Sequence, residues 1–105
     1  MPWYTYFSYF VAGLFLMNAI PHLVNGVCGR KFQTPFAHPR GKGLSSAPVN
    51  VLWGLANLAV GALLAQLDGH PFVNLVSNLC FFVGLAMMAL ALGVYFHRLY
   101  RDTSI

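Results

Sequence analysis

Three stretches of this chain, about residues 4–27, 49–67 and 72–97, carry no Lys, Arg, Asp or Glu in their interiors. A bilayer has a hydrocarbon core about 30 Å thick, which a helix of about 20 mostly apolar residues crosses. All three stretches meet that length. A helix satisfies its own backbone hydrogen bonds in lipid, whereas an open strand does not. The pattern therefore predicts an all-α membrane protein, one integral membrane domain of three transmembrane helices. Composition points the same way. Of 105 residues, 58% are hydrophobic and 8% charged, and the acidic residues are only Asp68 and Asp102. A soluble domain this small has a large surface to cover with polar groups, and this chain lacks them.

The breaks between spans are marked by turn formers. Residues 28–48 contain Gly29, Pro35, Pro39, Gly41, Gly43, Ser45 and Ser46. Ser46 is the expected N-cap of the second span, with Pro48 tolerated in its first turn. Asp68-Gly69-His70-Pro71 is too short for anything but a tight turn, so the second and third spans are expected to be antiparallel neighbours. The first span lacks a basic n-region and exceeds the length of a signal-peptide core, so it reads as a membrane span.

Orientation follows from the basic residues. Arg30, Lys31, Arg40 and Lys42 lie in the first loop, and Arg98 and Arg101 at the end of the third span. With three spans, the first loop and the C-terminus share one side of the membrane. Excess Lys and Arg mark the cytoplasmic side, so the N-terminus is expected outside and the C-terminus in the cytoplasm. The compact chain shows no targeting extension, which favours a bacterial inner membrane. Trp3, Tyr4, Tyr6, Phe7, Tyr9 and Phe10 would form an outer aromatic belt, with Tyr95 and Tyr100 serving the inner one. Arg30, Lys31, Arg40 and Lys42 are the expected contacts to anionic lipid headgroups. Phe32 and Phe36 could dip into the same layer, folding the loop back against the membrane. The other reading is an ordinary positive-inside loop. No basic domain with interleaved aromatics is present, which argues against nucleic acid.

Uncharged polar residues inside the spans are the most informative feature. Asn18, His22 and Asn25 recur at i, i+4, i+7, on one helical face. Pro21 among them removes a backbone donor and bends the helix. In the second span Asn50, Gly54, Asn57, Gly61 and Ala65 share a face, and in the third Ser77, Gly84 and Ala91 repeat every seven residues. Small residues let helices approach closely in lipid. At a rise of about 1.5 Å per residue, Asn18 and Asn57 reach similar depths, as do His22 and Asn50. Two polar layers between the first two helices are expected.

The same residues allow other chemistry. His22 and His97 near one membrane face could act as axial ligands of a haem. Asn18, His22, Asn50 and Asn57 could line a pore made by several copies. Proton-coupled transport usually uses a membrane-embedded acid, and the spans have none. Cys28 and Cys80 show no metal spacing, and no Ser-His-Asp set or paired carboxylate is present. The sequence thus points first to a non-catalytic accessory or stabilising subunit without a cofactor, docking on other membrane subunits or on copies of itself. A homo-oligomeric channel or carrier for a small neutral or anionic solute is the second reading. A haem- or quinone-binding redox subunit is the third.

Overall fold

The computed structural model describes residues 2–67 and 74–101. Its order is α1 (Trp3–Val27), β1 (Phe32–Gln33), β2 (Leu44–Ser45), α2 (Ala47–Leu64) and α3 (Leu75–Arg101). All three helices are long and apolar enough to cross a membrane. The shortest, α2 with 18 residues, extends about 27 Å at 1.5 Å per residue, close to the thickness of the hydrocarbon core.

Local chemistry sets the helix ends. The Ser46 hydroxyl accepts the Val49 N–H at 3.4 Å, and Pro48 occupies the first turn. This cap starts α2 two residues before the expected boundary. It ends earlier too, because residues 65–67 form a turn. Asn74 Oδ1 accepts the Ser77 N–H at 2.8 Å and the Ser77 hydroxyl at 3.0 Å. Asn74 thus binds the first turn of α3 as an N-cap does and is not an interior residue of the span. At the other end α3 runs four residues past the expected stop, through Arg101. The expected turn at Asp68–Pro71 lies outside the described residues.

α1 is the central element. A third of its most apolar window is buried, against 22% of α2's and 6% of α3's. α2 packs antiparallel to α1, α3 packs along its other side, and contacts between α2 and α3 are sparse. The expectation that α2 and α3 are packed neighbours is therefore corrected: chain adjacency did not decide the packing, complementarity to α1 did. Gly13 and Gly84 show why. A Cβ on Gly84 would run into the backbone of Phe10 and Gly13, and one on Gly13 into the backbone at Phe81 and Gly84. This glycine pair lets two backbones meet at a distance any side chain would forbid. On the α2 side, Gly54 receives Leu23 and Gly61 receives Leu16. Tyr9, Ala12 and Ala65 form a small apolar core away from the basic loop, with the Ser8 hydroxyl donating to Leu64 O at 2.5 Å. Tyr9 is 1% exposed, so it belongs to the core and not to the aromatic belt, unlike exposed Trp3, Tyr4 and Phe7.

The loop between α1 and α2 folds back onto the bundle. β1 and β2 pair antiparallel, Phe32 opposite Ser45 and Gln33 opposite Leu44. This two-residue ladder is the one departure from an all-helical chain among the described residues. It turns Phe32, Gln33 and Thr34 inward, where all three are buried. Phe32 packs on His22 of α1 and on Phe96 of α3, with ring centroids 5.5 and 4.9 Å apart. Phe32 is therefore a core residue, and the headgroup reading does not hold for it. Phe36 stays exposed against the Trp53 ring at 4.9 Å. Two tyrosines of α3 clamp the loop: Tyr95 OH donates to Gly41 O at 2.5 Å and Tyr100 OH to Gln33 Oε1 at 2.8 Å. All six basic residues consequently lie at one end of the bundle, referred to below as the basic end.

Candidate functional site

The polar residues of α1 and α2 meet in two layers. Nearer the middle of the bundle, Asn18 Nδ2 donates to Asn57 Oδ1 at 3.1 Å, and Asn57 Nδ2 donates to Trp53 O at 2.8 Å. One turn toward the basic end, His22 Nδ1 lies 2.8 Å from Asn50 Oδ1. The spacing of four on α1 and of seven on α2 brings both pairs into register because the helices run antiparallel.

Asn50 is the hub. It is fully buried, and its Nδ2 lies 3.1–3.2 Å from the carbonyl oxygens of Phe32, Ser45 and Ser46. Three acceptors around one end of the amide identify that end as the NH2 group. The oxygen must then face His22. An oxygen only accepts, so the proton between them sits on His22 Nδ1. In the neutral imidazole this leaves Nε2 as an acceptor. Asn50 therefore ties three things together: α1 through the histidine, the loop through Phe32 O and Ser45 O, and the start of its own helix.

Asn25 does not join these layers. Its Nδ2 donates to Pro21 O at 2.8 Å and its Oδ1 accepts from Arg30 Nε at 3.0 Å. It secures the end of α1 and holds an arginine of the loop. The α3 seam is used in part. Ser77 and Gly84 are buried, but Ala91 is exposed and borders a groove with Lys42, Val94 and Arg98. The physical reason is the loop: Phe32 stands between His22 and Phe96 and so holds α3 off α1 at the basic end. Gly54, Gly61 and Gly84 are taken up by α1 and Ser77 is buried, so these seams give no support to an outside partner. Arg30, Lys31, Arg40 and Lys42 are exposed, open to headgroups.

The histidines are not brought together. His22 borders a cavity with Gln33, Trp53, Tyr95 and Phe96, whereas His97 is exposed in a separate groove with Gly93, Tyr100 and Arg101. Because the two side chains border different spaces, the axial-pair arrangement is not formed. Among the described residues no group of three His, Cys, Asp or Glu gathers, and Cys28 and Cys80 are both free. Sequence reasoning missed Gln33, Trp53, Tyr95 and Phe96 as neighbours of His22. Three of them reach it through the loop or α3, and nothing in local spacing signals that return. No protein family, no curated protein and no solved structure matches this chain.

Proposed function

We propose that this chain is a non-catalytic subunit of a larger complex in a bacterial inner membrane, inserted with its N-terminus outside and its basic end in the cytoplasm. One observation carries the reading: an unused close-packing site on α3. Ala89 and Gly93 are four residues apart on one face, both exposed, and a Cβ on Gly93 would meet nothing within 4 Å. Small residues at this spacing allow a second helix to approach closely in lipid. They lie on the helix with the least of its surface buried in the bundle.

The channel reading loses support from the same geometry. A pore between copies needs a polar stripe facing outward. Asn18, His22, Asn50 and Asn57 instead face one another inside the unit. The outward surface of α2 and α3 is made of residues such as Leu52, Leu63, Phe82 and Leu90. The exposed cations at the basic end suit the anionic surface of a cytoplasmic leaflet.

Native mass spectrometry of the protein extracted in mild detergent from its own membrane, with an absorption spectrum of the same sample, tests the proposal. Defined heteromeric partners, lost on Gly93→Leu, are expected. A colourless monomer or homo-oligomer would overturn it.

A further inference from the structure

The cavity beside His22 has a volume of about 200 Å³ and is bordered by Asn18, His22, Gln33, Trp53, Tyr95 and Phe96, among others. Two buried residues of this lining, His22 and Gln33, carry a polar atom without a hydrogen-bond partner among the described residues. His22 commits Nδ1 to Asn50 and leaves Nε2 unpaired. Gln33 commits Oε1 to the Tyr100 hydroxyl and leaves its NH2 group unpaired. The side chains are 6% and 5% exposed. Among the described residues no buried side-chain nitrogen or oxygen is sealed off without a partner, so both unpaired atoms touch open space. The space that both residues border is this cavity.

The two atoms are complementary, one acceptor and one donor, and the walls around them are aromatic. A cavity of about 150 Å³ in a protein core holds a benzene ring, so this one has room for a single substituted ring. A second cleft of about 270 Å³, bordered by Leu14, Phe15, Asn18, Trp53, Asn57 and Met88, adjoins it at Asn18 and Trp53. That cleft lies farther from the basic end and is mainly apolar. The pair thus has the polarity of an amphiphile lying in one leaflet, polar ring toward the interface and tail toward the midplane.

We propose that this cavity binds an amphiphile with one hydroxylated aromatic ring and an apolar tail. The ring hydroxyl donates to His22 Nε2 and accepts from the Gln33 amide, the ring lies among Trp53, Tyr95 and Phe96, and the tail follows the adjoining cleft. The inference stands independently of the subunit reading.

The test uses the full chain in lipid nanodiscs with Trp3→Phe, an exposed position, so that Trp53 is the sole tryptophan. The probes are 3-bromo-4-nonylphenol and its hydroxyl-free counterpart 1-bromo-2-nonylbenzene, whose bromine quenches tryptophan on contact. The phenol is expected to quench saturably, with half-saturation at a probe-to-lipid ratio roughly tenfold below that of the hydroxyl-free probe, because the latter leaves two buried polar atoms unpaired. His22→Phe should abolish the preference for the phenol over the hydrocarbon probe. Equal, non-saturating quenching by both probes in the Trp3→Phe chain would overturn the proposal and leave the cavity to water. Should His22→Phe fail to fold, that comparison of probes decides alone. A folded His22→Phe chain that keeps the phenol preference would overturn the role given to the histidine.

Discussion

Asn50→Leu removes the acceptor of the His22 Nδ1–H and the donor shared among three carbonyls. Ser46 O keeps its helical bond from Asn50 N. The loss therefore falls on the imidazole and on the Phe32 and Ser45 carbonyls. A buried polar group left unpaired costs about 1–3 kcal/mol. The loop carbonyls lie at the basic end and regain water if the loop loosens, so the imidazole dominates and a loss of about 2 kcal/mol is expected. The pairwise part is separable. Couplings between side chains of membrane helices average about 0.6 kcal/mol and reach about 1.7. His22 and Asn50 are 6% and 0% exposed, which places this pair at the upper end, about 1.5 kcal/mol. The double variant His22→Phe/Asn50→Leu leaves no orphaned imidazole proton. It should be more stable than the sum of the single losses by that amount. Reversible unfolding by SDS in mixed micelles, followed by far-UV circular dichroism, measures all four corners of the cycle. Additivity within about 0.5 kcal/mol, as for independent sites, would refute the hub role of Asn50.

Gly84→Leu should destabilise the bundle by about 1–3 kcal/mol through overpacking against α1, whereas Gly93→Leu should leave the isolated chain within about 0.5 kcal/mol of the original; the same SDS titration compares them. Asn57→Ala should cost about 0.6–1.7 kcal/mol by removing the acceptor for Asn18, and an unchanged midpoint would count against the mid-bundle layer. Exposed Cys28 in a Cys80→Ala background should react with a membrane-impermeant maleimide in inverted vesicles and not in intact spheroplasts; the reverse result would refute the proposed orientation. Tyr95→Phe should release the loop at Gly41, read as faster proteolysis within residues 34–43 and little change in helicity.

Much of the site was readable because it depends on helical periodicity. Asn18 and His22 are four apart, Asn50 and Asn57 seven apart, and the rise per residue sets their depths before any contact is known. The α2 start was equally local, a serine followed two residues later by proline. Other features carried no such signal. Ala91 continues the heptad of Ser77 and Gly84 yet is exposed, because a phenylalanine from a distant loop stands between α1 and α3 at that end. Tyr9 reads as one aromatic of a belt, but the face of α1 it occupies is the one covered by the end of α2.

The sequence alone determined that this chain has three apolar helices, where their polar residues lie along them, and that its basic residues gather at one end. These are consequences of span length, charge and a fixed period, properties of each segment by itself. Only the tertiary structure decided that α1 is the middle helix, that α2 and α3 stand apart, and that the basic loop returns to wall a cavity open to one side next to His22. Those outcomes depend on which glycine faces which backbone and on one buried asparagine reaching three carbonyls, relations between distant residues that no local pattern encodes.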